Sequence, residues 1–307
     1  MGRGRLASGE FSIDVRFYRL SPELQPYFTA LYSFEFHCAE GEQIADFLHP
    51  EWSAMRFFYD GPPPFASVYP DARERRSPFA VSGPTSRAID FSVESCNVFG
   101  LGLQPAGFAR FCPANAIDLA DTIVDGDKHE AFAAFRPIMD FVQSAGANSQ
   151  EAATRINRFL IEQLKPLKVR NAQRIDACHE ALKDPAIADV ESLSERVGVN
   201  SRTLERMCRR YFGFPPKVLL RRQRFLRSLS AFMLDPQQNW SMALDSQYVD
   251  QAHFVRDFRS FMGIAPSEYA KTPHPILDRI MAQRMADQGV APETDLPTIL
   301  RYTDRDA

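Results

Sequence analysis

The stretch VESLSERVGVNSRTLERMCRRYF, Val190–Phe212, predicts two short helices that meet at a tight turn. Its first part has apolar residues at helical spacing, namely Val190, Leu193 and Val197. Gly198 can take a positive φ without steric cost, and the side-chain oxygen of Asn200 can accept a free backbone N–H of the next helix. A helix, a glycine turn and a second capped helix together predict a helix-turn-helix.

The second predicted helix has one apolar face and one basic face. Leu204 and Met207, together with Tyr211, are expected on the buried side. Four arginines point away from that side: Arg202, Arg206, Arg209 and Arg210. Arginine donors suit both phosphate and guanine, so this outer face is predicted to meet nucleic acid.

Basic residues are concentrated in the segment that contains this helix. Residues 201–227 hold nine Lys and Arg and one acidic residue, a formal charge of +8, whereas the whole chain carries −3. Such asymmetry predicts one surface for a polyanion and an acidic remainder. The alternative is a solvated basic face without a partner, which is disfavoured because the charge lies on a helix already marked by its turn.

A second unit of the same kind follows in SMALDSQYVDQAHFVRDFRSFMGIAPSEYAK, Ser241–Lys271. Met242, Ala243 and Tyr248 are expected on the inner face of its first helix, and Asp250 is the expected cap of its second helix. That second helix has two buried anchors and two outward arginines: Phe254 and Phe258, then Arg256 and Arg259. Each unit ends in a glycine that stops the helix and a proline that begins the next: Gly213 with Pro215–Pro216, and Gly263 with Pro266.

The two units together resemble the DNA-binding domain of AraC/XylS-type transcriptional regulators, over roughly residues 173–275. The most specific part is DQAHFVRDFRSFMGIAPSEY, residues 250–269. The resemblance implies a sequence-specific transcriptional regulator with double-stranded DNA as its partner, RNA polymerase as a candidate second partner and a β-rich N-terminal regulatory domain. The family usually has Gly where this chain has Gln247, so the second turn must either accept a left-handed φ, at about 1–2 kcal/mol, or be reshaped.

One long helix is predicted between the two units, at Pro215–Leu234. Twenty residues at the helical rise span about 30 Å. This length is comparable to the roughly 34 Å between successive major-groove faces of B-DNA. We therefore expect one monomer to place a helix in each of two adjacent grooves.

The outward positions of the two second helices are the candidate DNA contacts. Arginine suits guanine, Glu205 suits the cytosine amine and Gln251 suits adenine. The expected base readers are Arg202, Glu205, Arg206, Gln251 and Arg256. The expected phosphate contacts are Asn200, Arg209, Arg210, Arg221 and Arg259. Arg222 is expected either at phosphate or solvent or, like Arg224, in support of the scaffold.

The N-terminal part contains aromatic-rich, partly alternating runs separated by Pro/Gly turns. The predicted strands are Phe11–Arg19, Phe28–Phe36, Ser53–Tyr59, Phe65–Tyr69, Phe79–Val81, Ala88–Val93 and Asn97–Leu103. Many short strands favour an antiparallel β sandwich or barrel, cupin-like in type, over a βαβ design. The predicted fold class is α+β, with this β-rich domain and its trailing helices before an all-α domain of two helix-turn-helix units joined by a long helix.

Two helices are predicted after residue 128, in HEAFAAFRPIMDFVQ and EAATRINRFLIEQL. We expect them to pack on the sheet, and pairing with a second copy in a homodimer is the alternative. The segment LKPLKVRN, Leu164–Asn171, is the expected domain boundary. The predicted division is a regulatory domain at 1–165, a DNA-binding domain at 166–275 and a C-terminal extension at 276–307, helical in its first part and loosely held after it.

The β-rich domain offers a candidate pocket for a small-molecule effector. The candidate lining residues are His49, Trp52, Phe58 and Phe91, and their burial as ordinary core is the favoured alternative. His37 and His49 are isolated, with no H-x-H pair and no Glu at ligand spacing, so we expect no metal and no other cofactor.

The cysteines and the hydropathy of the sequence indicate the cellular compartment in which the protein is expected. The five cysteines are widely spaced and form no C-x-x-C pair, which favours neither a disulfide framework nor a zinc site. No stretch has the length of a signal-peptide core or a membrane span. We therefore expect a reducing bacterial cytoplasm, with association to the nucleoid and without membrane contact.

Two other functions are compatible with this kind of domain. A DNA-repair methyl-acceptor enzyme needs a four-cysteine zinc site, which the spacing does not provide. A helical adaptor without a DNA target is disfavoured by the +8 segment and the helix caps. No G-x-S-x-G, P-loop or dinucleotide motif occurs, so we expect no catalytic residues and no enzyme.

Overall fold

The computed structural model describes residues 5–6, 11–164, 171–234 and 240–286. Its N-terminal part is a sandwich of two sheets, in the orders β1-β4-β9-β6-β7 and β11-β8-β5-β10-β3-β2. The strands are β1 (Arg5–Leu6), β2 (Ser12–Tyr18), β3 (Phe28–His37), β4 (Glu42–Leu48), β5 (Ser53–Tyr59), β6 (Phe65–Val68), β7 (Glu74–Arg75), β8 (Phe79–Ser82), β9 (Ile89–Val93), β10 (Cys96–Leu103) and β11 (Ile123–Asp125). β1 pairs with β4 in parallel, whereas the other pairings in the described residues are antiparallel.

Seven strands lie where the sequence predicts them, within one or two residues at each end. The sequence left open whether the strands form a sandwich or a barrel. Because they form two separate sheets, the domain is a sandwich. The strand β4 was not predicted because EQIADFL mixes polar and apolar residues. Its Asp46 is buried because it accepts backbone N–H groups from a distant helix start at Ile276.

The inner strands β8, β5, β10 and β3 of the six-stranded sheet are buried on both faces, which explains why they are mostly apolar, whereas the edge strand β2 alternates. In β5, Phe57 faces the core under the trailing helices, and its neighbour Phe58 faces the core between the two sheets. The strand β3 is buried over almost its whole length for the same reason.

Three helices follow the last long strand: α1 (Pro105–Phe111), α2 (Pro137–Ala145) and α3 (Ser149–Gln163). Short 3-10 turns at Ala116–Leu119 and Glu130–Phe135 connect them. Buried residues of α2 and α3, such as Ile138 and Ile156, share a core with Phe57 of the sheet. The trailing helices therefore pack on their own domain, as predicted.

The C-terminal part is helical. Its helices are α4 (Ala172–Lys183), α5 (Val190–Val197), α6 (Ser201–Phe212), α7 (Pro216–Leu234), α8 (Trp240–Ala243), α9 (Gln251–Met262), α10 (Pro266–Tyr269) and α11 (Pro275–Ala286). The predicted boundary segment falls largely on residues 165–170, and the end of the extension falls on 287–307. Both lie outside the described residues.

Each helix-turn-helix unit has its own core, and each core includes residues of the sandwich domain. Trp52 packs with α4, α5 and α6, whereas Ala88 packs with α7 and α9. A backbone hydrogen bond of 2.7 Å also joins the Ala88 N–H to the carbonyl oxygen of Phe261. The sandwich is therefore docked against both units.

Three glycines end helices of the two units, as the sequence predicts, and each has a positive φ. The φ angles are +69° at Gly198, +83° at Gly213 and +78° at Gly263. A Cβ added at Gly263 would overlap the ring of Tyr69 in the sandwich domain, whereas one added at Gly198 would meet nothing within 4 Å. Position 263 thus requires glycine for two reasons, namely its positive φ and the close approach of the Tyr69 ring.

We expect Gly263→Ala to lower the free energy of unfolding more than Gly198→Ala does. Both variants incur the left-handed strain of about 1–2 kcal/mol, but only the first must also displace Tyr69. Urea denaturation of the two variants provides the comparison. Equal losses would show that the contact between Gly263 and Tyr69 contributes nothing.

Candidate DNA-binding surface

Both helices of the first unit begin at a capping residue. Asp189 and Ser192 form a capping box that begins α5, and Gly198 ends that helix. The N–H of Thr203 donates to Asn200 Oδ1 at 2.9 Å, which begins α6. The glycine turn and the Asn200 cap, which the sequence predicts, therefore set the angle between the two helices, whereas the capping box was not predicted.

The helix α6 divides into the two predicted faces. Its buried residues are Leu204, Met207, Cys208 and Phe212, whereas Tyr211 is only half-buried. Its four arginines are exposed: Arg202, Arg206, Arg209 and Arg210. Because the sandwich is docked elsewhere, this cationic face is open among the residues that the structure describes.

Glu205 and Arg209 form an ion pair along the outer face, with Arg209 Nε 2.9 Å from Glu205 Oε1. Both side chains are close to half exposed. A pair of this kind contributes only a few tenths of a kcal/mol, on the order of 0.3–0.5. Either partner can therefore exchange it for a contact with DNA.

The second unit presents α9 in a similar way. The N–H of His253 donates to Asp250 Oδ1 at 2.6 Å, so Asp250 is the predicted cap. Gln251, Arg256 and Arg259 are exposed. The opposite face is buried through Phe254, Asp257, Phe258, Phe261 and Met262.

The turn before α9 is reshaped around Gln247. Gln247 is not among the residues with positive φ, so the left-handed alternative is excluded. Its N–H donates to Asp245 Oδ1 at 2.9 Å, and its amide nitrogen donates to the carbonyl oxygen of Pro185. Only Trp240–Ala243 is helical before this turn, so Tyr248 lies in the turn rather than on the helix where the sequence placed it. The side chain of Met242 lies outside the described residues.

A buried carboxylate links α9 to α7. Asp257, with a side chain 3% exposed, accepts hydrogen bonds from Arg221 at 2.7 and 3.1 Å and from Arg224 at 2.8 Å. The Tyr248 hydroxyl donates to it at 3.3 Å. Burial by itself raises the pKa of Asp257, but the hydrogen bonds and charges of Arg224 and Arg221 outweigh burial and hold that pKa below its usual value. Sequence reasoning missed this network because its members are up to 36 residues apart.

The predicted phosphate contact Arg221 is thus part of this network, with a side chain 37% exposed. Arg224 belongs to the network as well and supports the scaffold. One edge of the Arg221 guanidinium, formed by Nε and Nη2, is therefore occupied by Asp257.

Arg222 joins the long helix α7 to the sandwich. It is 1% exposed, and its Cζ lies 3.7 Å from the centre of the Trp52 ring. Its Nη1 donates to the carbonyl oxygens of Glu51 at 3.2 Å and Thr85 at 3.0 Å. Arg222 therefore supports the scaffold, and the alternative of phosphate or solvent contact is wrong for this residue.

The four predicted pocket residues do not lie together. Phe58 and Phe91 line an apolar cavity between the two sheets, with a volume of about 60 Å³. Trp52 lies at the junction with α6, where its ring packs edge-on against Phe212. His49 also lies at the junction, with Nε2 2.9 Å from the Tyr269 hydroxyl. The aromatic pattern in the sequence therefore did not distinguish residues that line the cavity from residues that lie at the junction between the two domains.

The helix α11 closes one side of this cavity through Ile276 and Ile280. Its start is capped from the sandwich, since the N–H groups of Ile276 and Leu277 donate to Asp46 Oδ2 at 2.9 and 3.0 Å. His274 Nδ1 lies 3.0 Å from Asp46 Oδ1. The C-terminal extension therefore has a structural role that the sequence did not indicate.

Two histidines at this junction have opposite pKa shifts. Burial lowers the pKa of His49 to about 3, and the charge of His274 adds to that effect. Burial also acts to lower the pKa of His274, but its hydrogen bond and attraction to Asp46 outweigh burial, and the pKa is raised. His49 is thus neutral where His274 can carry a charge.

Among the residues that the structure describes, no group of three or more His, Cys, Asp or Glu side chains is placed to hold a metal ion. Over the same residues, we find no helix that combines the length and the apolar character needed to cross a bilayer.

A family model described as a helix-turn-helix domain matches residues 193–272. No curated protein matches the sequence. The solved structures that match the chain include the following three. ToxT from Vibrio cholerae bound to (E)-4-(8-methylnaphthalen-1-yl)but-3-enoic acid has a TM-score of 0.44 and 12% identity, over 85% of this chain and 98% of that chain.

The other two similarities are of the same kind. Unsaturated fatty acid bound wild-type ToxT from Vibrio cholerae has a TM-score of 0.42 and 12% identity, over 87% of this chain and 96% of that chain. The AraC-like transcriptional activator CuxR has a TM-score of 0.28 and 10% identity, over 70% of this chain and 86% of that chain.

Two capped helix-turn-helix units with exposed basic helices define a DNA-binding domain, and residues 193–272 form such a domain of the AraC type. The resemblance inferred from the sequence is therefore confirmed for this domain, which is of the kind that serves in DNA-binding transcription regulation.

Proposed function

We propose that the protein reads two adjacent major-groove segments of one duplex, with α6 in the first and α9 in the second. The observation that carries this proposal is shared by the two helices. Each is capped at its start, buried on one face and exposed on the other through arginines, while the sandwich is docked elsewhere. An open cationic face at a helix start is what a recognition helix needs.

In the first unit, Arg202, Glu205 and Arg206 are proposed to read bases. They lie in the first two turns of α6, which is the part of a recognition helix that reaches base edges. Arg209 and Arg210 lie one turn further on and are proposed to contact phosphates. Asn200 is proposed to do so with its amide nitrogen, because its oxygen already caps α6.

In the second unit, Gln251 and Arg256 are proposed to read bases, and Arg259 to contact phosphate. All three are exposed on α9. Arg221 remains a proposed phosphate contact, and its pairing with Asp257 limits it to a contact on its exposed side. The 19 residues of α7 span about 28 Å, close to the spacing of successive grooves.

We expect Arg206→Ala to lower affinity for the preferred site by about 1–3 kcal/mol and to reduce the ratio of specific to random binding. Truncation removes a bidentate donor at one base, whereas the exposed position leaves the fold unchanged. Selection of bound duplexes from a random pool provides the site, and titrations on that site and on random duplex measure the ratio.

Arg210→Ala is the matched control, since Arg210 is an exposed arginine of the same helix. It should weaken binding to both duplexes alike and lower the salt slope by about one. An unchanged ratio of specific to random binding in Arg206→Ala would contradict the base-reading role.

We also propose that the sandwich domain regulates this activity through a small apolar effector. The cavity lined by Phe58 and Phe91 supports this, as does its closure by α11, which directly follows the DNA-binding domain. A volume of about 60 Å³ is well below the roughly 300–1,000 Å³ of ligand pockets, so binding requires the cavity to open.

The proposed domain division is 1–165, 166–275 and 276–307. Its support is that the sandwich and the two units are built around different clusters of buried residues, although Trp52 and Ala88 join the clusters of the units and Ile276 joins that of the sandwich. RNA polymerase and a second copy of the chain are the further proposed partners. The half-site spacing in the selected duplexes would report the number of protomers.

A further inference from the structure

Val249 is the most exposed large apolar side chain of the described residues. It is 88% exposed, against 42% for Phe11 and 40% for Ile161. It lies directly before Asp250, the cap of α9. An apolar side chain this exposed contributes almost nothing to the core, and it lies beside a proposed recognition helix.

The backbone on both sides of Val249 is held in place. The N–H of Tyr248 donates to the Asp245 carbonyl oxygen at 3.0 Å, and the Tyr248 ring is buried against Phe254. On the other side, Asp250 is fixed by its cap to His253. A β-branched side chain is also stiff at χ1, so Val249 presents its two methyl groups at little entropic cost.

The neighbouring surface is suited to a base edge. Gln251, Ala252 and Arg256 are exposed, and a shallow groove runs along α9 between Gln251 and Arg259. Residues at the start of a recognition helix are those that reach bases in the major groove. The apolar group available there is the C5-methyl of thymine, since the other groups that bases present in that groove are donors and acceptors.

We propose that Val249 is a specificity-determining residue that contacts a thymine methyl in the second groove, next to the base read by Gln251. This inference rests on the proposed function. It adds an apolar contact to a surface whose other proposed readers are all polar or charged.

The test uses the full chain and the duplex selected from a random pool. Each thymine of the site is replaced in turn by deoxyuridine, which lacks the C5-methyl and keeps the pairing edge. Affinities are measured for the wild type, for Val249→Ser and for Ile161→Ser, a matched exposed apolar residue on α3. Urea unfolding checks that Val249→Ser leaves stability unchanged.

We expect one deoxyuridine position to weaken the wild type about fourfold, the effect of one buried methyl-sized group. Val249→Ser should bind the thymine duplex about fourfold more weakly than the wild type and lose nothing more on the deoxyuridine duplex. Ile161→Ser should respond as the wild type does.

The inference is overturned if no thymine methyl matters, or if its removal weakens Val249→Ser as much as the wild type. It is also overturned if Val249→Ser lowers transcription without changing duplex binding, which would assign the side chain to a protein partner. Failure to select any duplex would refute the proposed function itself, whereas a defined site without methyl dependence refutes only the role of Val249.

Discussion

Asp257→Ala is expected to lower the free energy of unfolding by about 3–5 kcal/mol, because it removes the acidic partner of a buried ion-pair network. Asp257 is 3% exposed and accepts from both Arg221 and Arg224. Without it, the guanidinium of Arg224, largely buried against the Tyr248 ring, is left without this carboxylate. Urea denaturation measures the loss, and the loss of sequence preference in the second groove should accompany it.

Two variants separate the charge of Asp257 from its packing. Asp257→Asn keeps the shape and removes the charge, and we expect it to account for most of the loss. Glu195→Ala removes an exposed acid of the first unit and should stay within about 0.5 kcal/mol of the wild type. A loss in Asp257→Ala no larger than that of Glu195→Ala would contradict the network.

The network also predicts a pH dependence. Because the pKa of Asp257 is lower in the folded state than its ordinary value of 3.8, its stabilisation is fully present above that value. It is lost as the pH falls through the lowered folded pKa. The advantage of the wild type over Asp257→Asn should therefore be constant at neutral pH and decline below about pH 4.

Arg222→Ala is expected to lower the free energy of unfolding by about 3 kcal/mol and to loosen the contact between the two domains. Arg222 is 1% exposed, stacks on Trp52 and donates to two backbone carbonyls of the sandwich. Its removal takes one donor from each of those carbonyls and the stacked cation from the Trp52 ring. Calorimetry should show a lower midpoint of thermal unfolding, and the single unfolding transition should separate into two.

Arg222→Lys and Lys217→Ala are the controls. Lysine keeps the charge but cannot stack or donate as a planar fork, so we expect an intermediate loss. Lys217 is an exposed cation of the same helix, and its truncation should have little effect. A midpoint of Arg222→Ala equal to that of Lys217→Ala would contradict the role of Arg222 at the junction.

Local features of both helix-turn-helix units could be predicted from the sequence because short-range interactions produce them. Asn200 and Asp250 cap helices within three residues, and Gly198 and Gly263 end helices at positions where other residues are strained. The spacing of Leu204 and Phe254 against the arginines marks the buried and open faces. The individual DNA contacts remain predictions.

The junction could not be predicted, because its contacts join residues far apart in the chain. Arg222 reaches Glu51 and Thr85, and Asp46 caps α11 from β4. Asp46 is also the reason why β4 could not be predicted. Aspartate is disfavoured in strands, and its burial in β4 is explained only by the cap that it provides to the distant helix α11. Gln247 is a similar case, because its turn depends on a hydrogen bond to Pro185.

The amino-acid sequence by itself thus determined the two helix-turn-helix units, their caps and their basic faces, because hydrophobic periodicity and capping act over one or two helical turns. Only the tertiary structure decided which arginines stay open and which are buried, how the sandwich docks on the units and what closes the cavity. Those outcomes depend on pairs of charged and aromatic groups that meet only after the chain has folded, and no local pattern records their partners.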